Sequence, residues 1–241
     1  MRIIAHRGYS SQAPENTMAA FERVVSAGFK ALELDVQMTK DSQVVVIHDE
    51  TIDRTSDGQG LVKEHSYEEL TQYDFGAWFG RSFAGERLPL LADVLDLVQD
   101  HDLWVNVELK TGAVAYPGLE DKVITMIRSR DLGDQTLISS FNHYSLKAIK
   151  ELWPELPIGV LYMAGLYEPW NYARTLGAEA LHPYYVGLTP ELVRSTKARG
   201  LLMHPFTVDK PADIQAVIAS GADGIITNYP ERVQDALAQK P

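Results

Sequence analysis

Three carboxylates and two imidazoles stand at the ends of short apolar runs in this chain. Glu33 and Asp35 lie in Ala31-Leu32-Glu33-Leu34-Asp35-Val36, and Glu108 in Val105-Asn106-Val107-Glu108-Leu109-Lys110. His6 follows Ile3-Ile4-Ala5, and His48 follows Val44-Val45-Val46-Ile47. Side chains alternate between the two faces of a strand, so Glu33 and Asp35 share one face and Leu32, Leu34 and Val36 the other. By the same rule Asn106, Glu108 and Lys110 share the inner face of a later strand. Three inward carboxylates repel one another unless a cation sits among them. The alternative pairs Glu108 with Lys110 and leaves the other two solvated at a rim. Histidine titrates near neutral pH, so two imidazoles beside such a site can give and take a proton within one reaction cycle. The chemistry implied is acid–base catalysis next to a hard cation.

Neighbouring residues have two readings each. Arg7 can fork onto a phosphate, or it can form a salt bridge to Glu15 or another rim acid. Pro14-Glu15-Asn16-Thr17 opens the first helix with Asn16 or Thr17 as its cap, which leaves Glu15 to orient Arg7 or His6 from behind. Phe206, in Pro205-Phe206-Thr207-Val208-Asp209, faces a substrate or packs in the core.

The elements that position these groups alternate in kind. Strand-like runs at Ile3 to His6, Lys30 to Gln37 (with Val44 to His48 close behind), Leu103 to Lys110, Thr136 to Phe141, Ile158 to Tyr162, Ala180 to His182, Leu201 to Phe206 and Gly224 to Thr227 are separated by helical stretches. The first of these helices is expected over Asn16 to Ala27. About eight such units imply an α/β fold, a (β/α)₈ TIM barrel, rather than an open doubly wound sheet. The Gly-x-Gly-x-x-Gly fingerprint of a dinucleotide fold is missing after the first strand, where the chain reads His6-Arg7-Gly8-Tyr9. One small insertion is expected after the second barrel strand region, at about residues 49–90. Its Tyr73, Phe75, Trp78, Phe79 and Phe83 either line a substrate mouth or hold the loop together as a satellite core.

Composition bounds the function. The 241 residues, 45% hydrophobic and 23% charged, suit a single domain over 1–241. A net charge of -11 offers no long-range attraction for nucleic acid or an anionic membrane, so a bound phosphate needs local positive groups. With no cysteine, metal ligands come from His and oxygen donors, which suit hard cations or zinc, with Mg²⁺ or Ca²⁺ the expected ion. No apolar run approaches a membrane span, and the chain opens directly on a strand, so a cytoplasmic protein without a stable membrane anchor is expected. The pattern is silent on oligomeric state.

Taken together, His6-Arg7-Gly8, Pro14-Glu15-Asn16-Thr17, Glu33-Leu34-Asp35-Val36, His48-Asp49, Glu108-Leu109-Lys110 and Asp223-Gly224-Ile225-Ile226-Thr227 resemble the glycerophosphodiester phosphodiesterase family. The resemblance runs from the first strand to the last helix. It implies a TIM barrel with a small insertion and one divalent cation, Mg²⁺ or Ca²⁺, held by Glu33, Asp35 and Glu108. It also implies His6 and His48 as the acid–base pair, with Arg7 and Lys110 near the phosphate. Two positions depart from the family pattern: Phe206-Thr207-Val208-Asp209 replaces a usual Trp-Thr-Val-Asn, and Asn228 replaces a frequent Asp. Neither departure is expected to touch the metal or acid–base set, so both bear on substrate fit rather than on chemistry, and Phe keeps an apolar wall without the indole donor.

The implied reaction is hydrolysis of a small-molecule glycerophosphodiester to glycerol 3-phosphate and an alcohol, through a cyclic phosphate. Three carboxylates against a divalent ion, Arg7 and Lys110 leave a single positive charge, which matches the single negative charge of a phosphodiester. Alternatives are a lyase that stops at the cyclic product, a lysophospholipase D-type activity, and a phosphodiester-binding protein without turnover. A binding protein needs no acid–base pair.

Overall fold

The computed structural model describes residues 1–239. Strands β1 (Arg2–Ala5), β2 (Ala31–Met38), β4 (Trp104–Leu109), β5 (Thr136–Ser140), β6 (Ile158–Tyr162), β7 (Ala180–Pro183), β8 (Leu202–Met203) and β9 (Gly224–Thr227) form a parallel sheet in the order β8-β7-β6-β5-β4-β2-β1-β9. The two ends of that order meet. Backbone bonds from Asp223 N to Met203 O, from Ile226 N to Pro205 O and from Val208 N to Ile226 O, 3.0 Å each, close the sheet on itself. The result is the expected eight-strand barrel.

The strand expected over Leu201 to Phe206 keeps only two ladder residues, because Pro205 has no N–H to donate and its carbonyl alone joins the neighbouring strand. Val44–Val46 is a strand too, β3, but it runs antiparallel to β2 with Val36 opposite Val46 and is not a stave of the barrel. It begins an excursion that leaves the barrel after β2 and returns at helix α3 (Leu91–Asp100), with the one-turn helix α2 (Tyr67–Leu70) inside it.

The outer layer is helical. Helix α1 (Met18–Ser26) follows β1, and α4 (Leu119–Arg128), α5 (His143–Leu152), α6 (Pro169–Leu176), α7 (Pro190–Lys197), α8 (Pro211–Ser220) and α9 (Pro230–Ala238) follow the later strands in turn. Helix α1 starts two residues later than expected, with Thr17 as cap accepting from Ala20 N. The outward-facing Leu32, Leu34, Val36, Val105 and Val107 pack with Phe21, Val24, Val94 and Val123 of the helices in one continuous core. Fully burying each such side chain stabilises the fold by about 1.5–3 kcal/mol, and Leu34→Ala would cost about 2–5.

Inside the barrel Ile4, Ala31 and Ile226 form an apolar floor, with Trp104 and Phe206 packed against it. Gly159 leaves room for the buried ring of His182, which a Cβ there would meet at 2.6 Å. The functional groups lie above this floor, at the C-terminal ends of the strands.

Candidate active site

The His6-Arg7-Gly8 turn is built by two successive left-handed residues, Arg7 at φ 56° and Gly8 at φ 77°. Gly8 is required twice over, since a Cβ there would also lie 2.8 Å from the backbone of Ala20. The turn is held from below by Glu33. Its Oε2 accepts the Arg7 backbone N–H at 2.8 Å, and its carbonyl accepts from Gly8 N at 3.2 Å. A left-handed arginine is strained, and such strain persists where the surroundings fix it.

Register brings the three carboxylates together. Asp35 stands beside Glu108 in the β2–β4 pairing, one alternation above Glu33 and Asn106. Oxygen atoms of Glu33, Asp35 and Glu108 lie within 4.8 Å of one another, and all three residues are buried. One oxygen of each is already engaged by the protein: Glu33 Oε2 by Arg7 N, Asp35 Oδ2 by Asn16 Nδ2 at 2.9 Å, and Glu108 Oε1 by Lys110 Nζ at 3.0 Å. Glu33 Oε1 and Asp35 Oδ1 are buried without any hydrogen-bond partner.

Orphaned buried carboxylate oxygens are costly, and their convergence fits a hard cation. The electrostatics agree. Burial, with the charges of Asp35 and Glu108 adding to it, pushes the Glu33 carboxyl well above its ordinary range. Burial and the Asp35 charge push Glu108 up to about 7 against the pull of Lys110. Burial would raise Asp35 as well, but Arg7, followed by His48, Lys110 and His6, overrides it and holds this carboxyl down at about 2. A divalent ion would relieve the repulsion that the two glutamates register.

The histidines are mounted differently. His6 Nδ1 lies 2.7 Å from Asn228 Oδ1 at the end of β9, so the Asn228 departure, expected to bear on substrate fit alone, touches one of the two imidazoles; His6 Nε2 lies 3.9 Å from Glu33 Oε2. Burial, helped by the Arg7 charge, lowers its pKa to about 4. His48 Nδ1 instead rests on the Asp49 carboxylate at 2.6 Å, and the ring is partly exposed. Its backbone is pinned by Gln37, whose Nε2 donates to the carbonyls of His48 at 3.0 Å and Asp49 at 2.6 Å, while Tyr116 Oη donates to Gln37 Oε1. Ile47 N donates to Asp35 O at 2.9 Å, so the residue after it, His48, emerges beside the acid cluster.

The remaining expected residues also gather here. Arg7 donates to Glu15 at 2.7 Å and lies 3.4 Å from Asp35, so of its two expected partners Glu15 is hydrogen-bonded to Arg7. Lys110 lies between Glu108 and Asp35, 3.9 Å from the latter. Phe206 stands across the mouth, edge-on to Phe141 at 5.7 Å and tilted against Tyr184 at 6.1 Å. In the excursion, Phe75 is buried in a small cluster with Val45, Ile52, Val62 and Leu70, a satellite core. Trp78, Phe79 and Phe83 stack edge to face at its surface.

Four positions escape the sequence reading. Asn16, read as a cap or turn residue, is buried and grips Asp35. Arg54, in a stretch without periodicity, donates to both oxygens of Glu15 and both of Asp49, joining the supports of Arg7 and His48. Asp209 and Gln37 hold Asn228 and the His48 backbone from behind. Neither Asn16 nor Arg54 carries a local sequence signal of these bonds.

A (β/α)₈ barrel with an acid cluster and two imidazoles at its C-terminal mouth defines the class: a TIM barrel with its polar site at the face where such barrels carry their active sites. Comparison with known proteins narrows it. The profile of the Glycerophosphoryl diester phosphodiesterase family matches residues 6–232, and the chain belongs to that family. A glycerophosphodiester phosphodiesterase of Caldanaerobacter subterraneus subsp. tengcongensis is 50% identical over 229 residues, 95% of this chain and 94% of that one. Among solved structures, a putative glycerophosphoryl diester phosphodiesterase from Silicibacter pomeroyi superposes with a TM-score of 0.91 at 28% identity, over 99% of this chain and 93% of that one. An Oleispira antarctica phosphodiesterase, solved in complex with the product sn-glycerol-3-phosphate, gives 0.89 at 31% identity, over 99% and 97%. Among the described residues no helix is long and apolar enough to cross a membrane.

Proposed function

We propose that this chain hydrolyses glycerophosphodiesters to glycerol 3-phosphate and an alcohol, using one divalent cation, Mg²⁺ or Ca²⁺, and two histidines. The observation that carries this reading is the convergence of carboxylate oxygens of Glu33, Asp35 and Glu108, with one oxygen of Glu33 and one of Asp35 orphaned, beside His6 and His48. It is supported by the family and by the glycerol phosphate in the Oleispira relative.

Glu33, Asp35 and Glu108 would hold the cation, which when bound supplies Lewis-acid polarisation of a phosphoryl oxygen. Arg7 and Lys110 then neutralise the phosphate oxygens from the protein side, each kept in place by acids it already touches. His6, backed by the neutral amide of Asn228, is the base: its Nε2 takes the proton of the glycerol hydroxyl next to the ester. That oxygen bonds to phosphorus as the bond to the alcohol breaks. His48, backed by the Asp49 carboxylate, is the acid and gives its proton to the departing oxygen. Water then opens the cyclic phosphate with the two roles reversed. General acid–base help of about 10²–10⁴ corresponds to roughly 3–5 kcal/mol, and charge stabilisation by the cation, Arg7 and Lys110 is assigned the rest. Phe206, Phe141 and Tyr184 form the apolar side of the mouth, where the glycerol carbons or the alcohol lie.

The test is release of glycerol 3-phosphate from glycerophosphocholine by metal-stripped protein with Mg²⁺ or Ca²⁺ restored, alongside Glu108→Gln, His6→Ala and His48→Ala. Turnover only with metal, lost in all three variants, is expected. Turnover by the stripped protein would remove the metal, an undiminished histidine variant would remove that histidine, and accumulation of a stable cyclic phosphate would make the enzyme a lyase.

A further inference from the structure

We infer that Asn228, itself oriented by Asp209, fixes the tautomer of His6, so that the ring carries its proton on Nδ1 and presents a bare Nε2 to the substrate hydroxyl. The inference rests on the reading of His6 as the base and adds two positioning residues to it.

The argument is a count of donors and acceptors. A carboxylate only accepts. Asp209 Oδ1 takes the backbone N–H of Asn228 at 2.9 Å and the Thr227 hydroxyl at 3.1 Å, and its Oδ2 takes Asn228 Nδ2 at 2.7 Å. The amide nitrogen of Asn228 is therefore turned toward Asp209, and its Oδ1 toward His6 Nδ1 at 2.7 Å and Ser10 Oγ at 2.8 Å. An amide oxygen cannot donate, so His6 Nδ1 must carry the proton. The neutral ring has only one, which leaves Nε2 as a lone pair. Arg232 Nη1 donates to the Asp209 carbonyl at 2.9 Å and anchors the loop. A single carboxylate at the end of the chain of bonds thus decides which nitrogen of a histidine 222 residues from Asn228 can act as a base.

Reversing the polarity of this relay tests it. In Asp209→Asn, the Asn228 backbone N–H holds the new amide's oxygen where Oδ1 stood, so its NH₂ meets the NH₂ of Asn228 donor to donor. Asn228 must turn its amide over and present a donor to His6, and the ring proton moves to Nε2. The double variant D209N/N228D restores the pattern, because the new amide donates to the introduced carboxylate, which again accepts from His6 Nδ1. Charge is unchanged between wild type and double variant.

The experiment combines long-range ¹H–¹⁵N correlation on histidine-labelled protein near neutral pH with kcat and KM for glycerophosphocholine in Mg²⁺. The His6 signals are identified by their loss in His6→Ala, and folding is checked by circular dichroism melts. Wild type should show Nδ1–H. D209N should show Nε2–H with kcat down about 10²-fold or more and KM within about threefold, since the base is lost and binding is kept. D209N/N228D should recover Nδ1–H and kcat to within about tenfold. D209N that keeps Nδ1–H, or keeps its kcat, overturns the inference, as does a folded double variant no better than D209N. If His6→Ala turns over normally, the acid–base reading itself fails and this inference with it; if His6→Ala is dead while D209N is normal, only the inference fails.

Discussion

Asn16 Nδ2 donates to Asp35 Oδ2 across 2.9 Å, from a backbone held left-handed at φ 56°. Because that bond occupies one oxygen of Asp35, the other, Oδ1, is left bare among the acids. Asn16 therefore aims a metal-ligand candidate from behind, through its other oxygen. Asn16→Gly keeps the left-handed backbone and deletes the side chain. It should weaken Mg²⁺ roughly 10–100-fold, as the loss of a ligand's supporting bond does. Thermal stability should fall by about 1–3 kcal/mol for the buried oxygen left unpaired. A calorimetric Mg²⁺ titration reads the first and a denaturant melt the second; unchanged affinity would reduce Asn16 to a structural role.

The raised carboxyl of Glu108 predicts an unusual pH dependence for the metal-free protein. Its folded pKa, about 7, lies above the ordinary 4.5, so the folded state binds a proton more tightly than the unfolded state does. That stabilisation is full below pH 4.5 and is lost as pH rises through about 7, a contribution of roughly 3 kcal/mol. Glu33, raised in the same direction, adds to it. Stripped of metal, wild type should melt lower at pH 8 than at pH 6, and Glu108→Gln should flatten the difference. Added Mg²⁺ should raise the pH 8 melt of wild type and do much less for Glu108→Gln. A Glu108→Gln profile parallel to wild type would show that the carboxyl is not strained.

The carboxylate cluster was legible because period-two alternation and parallel pairing are both written locally: Leu32, Leu34 and Val36 fix the outer face, and Glu33 and Asp35 fall inward whatever follows. The eight strands were legible from repetition. Direction was not, since Val44-Val45-Val46 reads the same for a barrel stave as for the antiparallel strand it is. The supports of the site were least legible. Asn16 bonds to a residue 19 positions on and Asn228 to one 222 positions back, so no local pattern announces either. Arg54 sits in an aperiodic loop whose folding is decided by its satellite core.

Arg54 makes a further prediction because its fork spans two supports. Nε and Nη2 take Asp49, and Nη1 and Nη2 take Glu15, at 2.6–3.1 Å. Asp49 carries His48 and Glu15 carries Arg7, so one guanidinium holds the supports of the proposed acid and of the proposed phosphate-binding arginine in fixed relation. The side chain is substantially exposed, and its removal should change stability by less than about 0.5–1 kcal/mol. Arg54→Ala should nevertheless lower kcat/KM by about tenfold or more through misplacement. Arg54→Lys should not rescue it, since an ammonium cannot bridge both carboxylates bidentately. Steady-state kinetics beside a melt decide the matter, and rescue by lysine would show that only charge is needed.

A last prediction concerns two histidines outside the chemistry. His204 Nδ1 lies 3.1 Å from His182 Nε2 inside the barrel, and both rings are buried, so one donates to the other and neither is charged. Burial, with the charge of Arg2 behind it, lowers His204 to about 4, and burial with His204 as neighbour lowers His182 as well. A histidine whose folded pKa lies below its ordinary 6.5 takes its proton first in the unfolded chain. Its contribution is therefore intact above pH 6.5 and is lost as pH falls toward 4, by roughly 3 kcal/mol for His204. His204→Gln keeps a hydrogen-bonding group and removes the titration. Urea melts at pH 8 and pH 4.5 should show wild type losing more stability on acidification than His204→Gln, by about 2–3 kcal/mol. Comparing the two proteins cancels His6 and the glutamates, which titrate in both. Equal losses would mean that the ring pair stays neutral through the acid transition or opens before it protonates, and that acid sensitivity arises elsewhere in the barrel.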